Sequence, residues 1–231
     1  RGFLTRLGCQ FHWRNRAYRD FQDFLDGFTS KRRKAIQRER RRVREAGLEL
    51  SVLTGREISE AQWRNVHQFY CSTFPRLGGV PPLTLHFFQE IAETLDDRLV
   101  LVLARDRGQD IASALSFRSA TTLYGRHWGC RADHDGLHFE ACYYQGLDYC
   151  IRRGLQRFEP GAQGEHKIYR GFLPAFTHSA HWIAHAGFRQ SIADFLDRET
   201  PALRRYAQEL LQHSPYRDEV TPDAPAVAGS A

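Results

Sequence analysis

The stretch Leu99-Val100-Leu101-Val102-Leu103-Ala104-Arg105-Asp106-Arg107-Gly108-Gln109-Asp110-Ile111 decides how this chain folds. An unbroken apolar run, an Asp-Arg-Gly-Gln turn and a second apolar run are the pattern of a buried strand entering a hairpin. Leu99–Arg105, Ile111–Ser119 and Thr122–Cys130 follow one another with short connections, which predicts three consecutive antiparallel strands. Outward from this meander the period changes to that of helices. On its N-terminal side Phe21, Phe24, Leu25 and Phe28 predict a helix over Tyr18–Phe28, and Thr29 or Ser30 caps a second that Gly47 ends. Ser59 caps a helix through Tyr70, and Leu85–Leu95 is another. Gly2–Trp13 reads as a strand and loop, Leu48–Leu53 as a short strand, and Phe74–Thr84 as a loop. On the C-terminal side Phe139, Cys142, Tyr143, Leu147 and Cys150 predict a helix over His138–Arg153. Strands are expected at Leu155–Glu159 and Phe176–Ile183, a loop at Gly161–Gly171, and a helix over Phe188–Gln212 broken near Pro201.

The sum is an α+β or mixed α/β domain, a central, largely antiparallel sheet flanked by helices. One domain is expected over residues 1–213, with a disordered Pro/Ala/Gly-rich tail over 214–231. A hydrophobic share of 42% is enough for a sizeable core and excludes wholesale disorder. No apolar run is long enough for a transmembrane helix. The five cysteines form no C-x-x-C, so reduced thiols and a cytoplasmic setting are expected. Charge is concentrated: Ser30–Ala46 holds nine Lys or Arg against two Glu, a net +7, whereas the whole chain is +6. A nearly neutral globule therefore carries one basic helix near its N-terminus.

Three groups of residues could carry chemistry. Lys31, Arg32 and Lys34 stand at the opening of the basic helix, where free N–H groups already favour anions, and suit the phosphates of a ligand. The other readings are a solvated surface helix and a general nucleic-acid contact. Glu140 falls within the apolar arc of its helix, where desolvation would suit a general base. The alternative is a structural carboxylate accepting bonds from Arg126 or a tyrosine. Third, Glu159, Gln163, Glu165, His166 and Lys167 lie on or beside a Gly-punctuated loop after a short strand, with His166 suited to moving a proton near neutral pH. A plain turn is the alternative there. Seven histidines lie between His127 and His185, but no pair has metal-site spacing, so no metal is expected. The absence of G-x-S-x-G, Walker and G-x-G-x-x-G sequences counts against a serine hydrolase, a P-loop NTPase and a dinucleotide enzyme.

Five runs then resemble a known family in order: Gly8–Trp13, Ser30–Ile36, Leu123–Cys130, His138–Tyr144 and Gly161–Lys167. They are similar to the bacterial Fem-like N-acyltransferases of peptidoglycan biosynthesis and recognition, whose element order is that of the GNAT superfamily. The resemblance covers Gly2–Arg217 and corresponds to the second of two GNAT-like halves, which fits a chain that opens at Arg1 and not at an initiator. It implies transfer of an acyl or aminoacyl group to an amine on a small molecule or cell-wall precursor. Acyl-CoA or aminoacyl-tRNA would be the donor, so tRNA is a possible partner, and no resident cofactor is expected. Arg131-Ala132-Asp133-His134-Asp135-Gly136 stands where an acyl-CoA pyrophosphate loop would be, which counts against acyl-CoA. Glu140, His166 and Glu165 are then the expected catalytic residues. Lys31, Arg32, Lys34, Arg126, Tyr143, Glu159, Gln163 and Lys167 are expected to bind substrate. The rival expectation is a non-catalytic module that recognises a cell-wall precursor or nucleic acid.

Overall fold

The computed structural model describes residues 2–74, 78–132, 134–162 and 164–218. They form two compact units, one of Arg14–Gly161 and one of residues 2–13 with 162–218.

The larger unit is built on the meander. Strands β2 (Glu49–Thr54), β3 (Leu99–Asp106), β4 (Gln109–Arg118) and β5 (Thr122–Cys130) pair antiparallel in that order, and β6 (Arg157–Glu159) adds in parallel to β5. Asp106 pairs with Gln109 across a two-residue turn. Arg107 and Gly108 take φ of 49° and 78° there, the double positive φ that matches the twist of a hairpin. The unbroken apolar run of β3 has a simple cause: the strand is covered on both faces. Leu99, Leu101 and Leu103 pack with Trp63, Val66, Tyr70 and Phe88 of α3 (Glu60–Ser72) and α4 (Leu85–Leu95). On the opposite face Val102 packs with Ala114 and Ala141, and Ala104 with Val43 and Leu137. Val43 belongs to α2 (Ser30–Glu45), which lies down along its thin seam of Ile36 and Val43.

Helix α1 is shorter than its apolar spacing predicts, Phe21–Asp26, because Asp20 takes the N-cap and accepts the Asp23 N–H. The helix expected over His138–Arg153 exists but is not uniform. A turn α5 (Leu137–Phe139) leads into a π-helical turn, Glu140–Tyr144, and then α6 (Gln145–Arg153). Gly146 is required there, since a Cβ would lie 2.5 Å from the Phe158 ring of β6.

In the smaller unit β1 (Leu4–Arg14) pairs antiparallel with β7 (Leu173–His181) from Leu4↔His181 to His12↔Leu173. Part of the expected Gly161–Gly171 loop is instead a 3₁₀ helix, Glu165–Arg170. The expected break at Pro201 does not occur: α7 runs unbroken over Ala186–Leu211. Proline's fixed φ is itself helical, and the buried Leu196, Ala207 and Leu210 hold the two halves in line on either side. Tyr216 is buried and its hydroxyl donates to the Gly171 carbonyl at 2.9 Å. Residues 219–231 of the expected tail lie outside the described residues.

Candidate functional site

The parallel pairing of β5 and β6 lasts three residues, from Thr122↔Arg157 to Tyr124↔Glu159. Pro160 follows and has no N–H to continue the ladder, so the strands part. At that point β5 also carries a bulge: Leu115 pairs with His127 and Ser116 with Gly125, leaving Arg126 as the extra residue. Gly125 lets Pro160 lie close against β5, since a Cβ there would sit 3.2 Å from Pro160 Cα. The result is a pocket of about 120 Å³ lined by Ser116, Gly125, Arg126, Trp128, His138, Cys142, Tyr143, Pro160 and their neighbours.

Two residues singled out in the sequence, Arg126 and Tyr143, therefore meet in one pocket. His138 was not singled out. Its imidazole packs edge-on against Trp128, with ring centres 5.4 Å apart, and against Tyr143 at 5.5 Å. Placed at the first turn of the helix opposite a bulged strand, it is legible only once the bulge is known. His127 packs against Tyr70 at 5.0 Å. Burial, with Arg126 beside it, pushes its imidazole below the ordinary range.

Glu140 is buried, as its position in the apolar arc predicts, at 4% exposure. Its partners are neither Arg126 nor a tyrosine. Arg40 of the basic helix donates to both carboxylate oxygens at 3.0–3.2 Å, and Gln145 Nε2 donates to Oε1 at 2.8 Å. The Arg40 guanidinium also lies 4.2 Å over the Phe21 ring. Glu39, one residue before, accepts from the Tyr144 hydroxyl. The π-helical turn is thus tied to α2 at adjacent positions.

Helix α2 divides by face. Arg33 reaches Asp26 at 3.6 Å and Arg42 reaches Asp135 at 3.0 Å, while Lys31, Lys34, Arg38, Arg41 and Arg44 make no ion pair among the described residues. Arg40, Arg41 and Arg44 line an open groove of about 390 Å³ beside Phe21 and Leu25. Lys31 and Lys34 are exposed and Arg32 is half-buried.

The remaining expected residues fall elsewhere. Glu159 pairs with Arg157 at 3.0 Å, and burial raises its carboxyl above the usual range against the pull of that arginine. Glu165, His166 and Lys167 belong to the smaller unit. Glu165 accepts from the Tyr206 hydroxyl at 2.5 Å, and burial together with this bond pushes the phenol up to about 12. Lys167 is buried at 2% exposure. The His166 ring lies over Gly164, where a Cβ would meet Cε1 at 2.5 Å. Desolvation there, reinforced by Arg170 and Lys167, holds the imidazole below its ordinary range. Gln163 lies outside the described residues.

Comparison with known proteins adds to this geometry. The profile of the FemAB-like family, described as peptidoglycan biosynthesis/recognition, matches residues 1–218. No curated protein matches in sequence. Among solved structures, the L-PGS of Bacillus licheniformis superposes with a TM-score of 0.59 at 11% identity, over 84% of this chain and 67% of that one. A C-terminal domain assigned to a lysylphosphatidylglycerol synthetase of Agrobacterium fabrum gives 0.50 at 12% identity, over 73% of this chain and 52% of that one. The chain thus spans about half the length of the Agrobacterium domain. A GCN5-related N-acetyltransferase-like protein of Streptococcus suis, at 12% identity and covering 77% of this chain and 63% of its own, gives 0.36. The fold is the mixed α/β one, a largely antiparallel sheet flanked by helices, that the element order implied. Among the described residues no helix is long and apolar enough to cross a membrane.

Proposed function

The chain belongs to the FemAB-like family of peptidoglycan biosynthesis and recognition, and from that premise we propose that its larger unit transfers an acyl or aminoacyl group to an amine. The observation that carries this is the pocket where β5 parts from Pro160, walled by Arg126, Trp128, His138 and Tyr143. At about 120 Å³ it is far smaller than the roughly 300–1,000 Å³ of a site enclosing a whole ligand. It suits the small group being moved, with the rest of the donor outside.

In this reading the acceptor nitrogen attacks the acyl carbonyl and a C–N bond forms. The C–O or C–S bond to the donor breaks, His138 takes the proton from the nitrogen, and the Tyr143 hydroxyl supplies one to the leaving group. Arg126 orients the carbonyl. His138 takes the part expected of Glu140, because Arg40 and Gln145 already occupy both Glu140 oxygens. Glu140 is then a positioning residue that fixes the π-helical turn bearing Tyr143. Lys31, Arg32 and Lys34 hold the phosphates of the donor, either acyl-CoA or aminoacyl-tRNA, and the acceptor is a cell-wall precursor or another small amine.

Steady-state kinetics on the full natural protein test the assignment. His138→Ala should lower kcat by roughly 10²-fold or more, as loss of an acid–base group does. Arg126→Ala should lower kcat as well, since Arg126 acts on the reacting carbonyl. His166→Ala separates the two histidines: unchanged turnover in that variant is expected, and a loss equal to that of His138→Ala would return the base to His166. Full activity in His138→Ala would remove the proposed mechanism.

A further inference from the structure

Five of the eight exposed large hydrophobic side chains among the described residues belong to the smaller unit, and four of them gather at one end. Phe3 and Trp182, each 60% exposed, lie just beyond Leu4↔His181, the last pair of the β1–β7 ribbon. Gly2 sits beside Arg189 in the first turn of α7, which brings the ribbon end against that helix. Phe188 and Phe195 follow on one line of α7, seven residues apart, at 57% and 45% exposure. The His185 Nδ1 accepts the Phe188 N–H at 3.1 Å and fixes the start of this line.

We propose that Phe3, Trp182, Phe188 and Phe195 form a docking rim by which the smaller unit seats on the surface of a lipid bilayer, with the rings at the headgroup–acyl boundary.

The area speaks for a bilayer over a second copy. At roughly 150–250 Å² per aromatic side chain, the exposed parts of these four amount to something on the order of 450 Å². That is the size of a functional surface patch. Doubled across a two-fold axis it gives roughly 900 Å², short of the approximately 1,200 Å² of a specific, stable interface. Trp settles at a membrane interface through its amphipathic ring, and Phe supplies apolar surface that inserts beside it without spanning the bilayer. Charge adds little, since α7 carries four Arg against four Asp or Glu. Seating is therefore driven by the rings, and salt should matter little. This inference stands apart from the transfer reaction, because none of the four residues lines the pocket of the larger unit.

Co-sedimentation of the full natural protein with vesicles of phosphatidylcholine alone, and of phosphatidylcholine with phosphatidylglycerol, tests it at low and high salt. Binding to both kinds of vesicle, nearly independent of salt, is expected. The double substitution Trp182→Ala with Phe188→Ala should weaken it by roughly tenfold or more. Both positions are exposed, so the variant should fold, which circular dichroism checks. No sedimentation, equal sedimentation by the double variant, or binding only to phosphatidylglycerol vesicles and lost in salt would overturn the proposal. A dimer that the same substitutions dissolve would assign the rim to a second copy instead.

Discussion

Glu140 is buried against α2 and held there by Arg40. Its inward position follows from the roughly 100° advance per residue that puts it in line with Tyr143 and Leu147. Its partner does not follow, because Arg40 lies a hundred positions away and meets it only through the packing of α2. Arg40→Ala would leave a carboxylate at 4% exposure without its counter-charge. The expected cost is about 3 kcal/mol, the low end for a broken buried pair because the arginine itself is partly exposed, and denaturant unfolding measures it. His127 and His166 give a pH prediction of definite sign. Both are held below the ordinary imidazole range in the fold. As pH falls through that range the unfolded chain binds protons first, so stability declines toward the lowered values and is flat above the range. Proton NMR should find both rings neutral at neutral pH, and His127→Asn should flatten the acid limb of the stability curve. An unchanged limb would contradict the assignment for His127.

Among the elements, those announced by apolar spacing or caps were legible: α2, α3, α4 and the three strands of the meander arise at or near the expected bounds. The π-helical turn Glu140–Tyr144 was not, because an extra residue in one turn leaves no mark in composition, and α7 passes Pro201 because packing outweighs one lost hydrogen bond. Helix α3 also lies unusually close to β5: a Cβ on Gly129 would come 2.2 Å from the Phe69 carbonyl oxygen. Gly129→Ala should therefore cost about 1–3 kcal/mol by overpacking, seen as a lowered Tm, since backbone on both sides must move. The basic helix separates two modes of anion binding. If the donor's phosphates sit at the helix opening, Lys31→Ala with Arg32→Ala abolishes donor binding and Arg41→Ala with Arg44→Ala barely changes it. Equal losses with a steep dependence on salt would mean a polyanion lying along the helix, and the groove beside Arg41 and Arg44 shows where it would run.

At the scale of the whole molecule, the order of strands and helices was readable because each β3–β5 connection is short and local. The pocket was only half readable: Arg126 and Tyr143 lie within recognisable runs, but the gap between them depends on a bulge and on a proline that stops a three-residue parallel pairing. Local pattern fixes which strands exist, whereas the place where two of them separate is set by tertiary packing. In the proposed reaction this separation serves group transfer to an amine. Mass spectrometry of reaction mixtures tests it most directly, with the full natural protein, a panel of amines and cell-wall precursors, and either acyl-CoA or aminoacyl-tRNA. An amine gaining the mass of one acyl or aminoacyl group, formed by the natural protein and not by His138→Ala, is the predicted result. Tight binding of a precursor with no mass gain on any acceptor from either donor would contradict it and identify a recognition module.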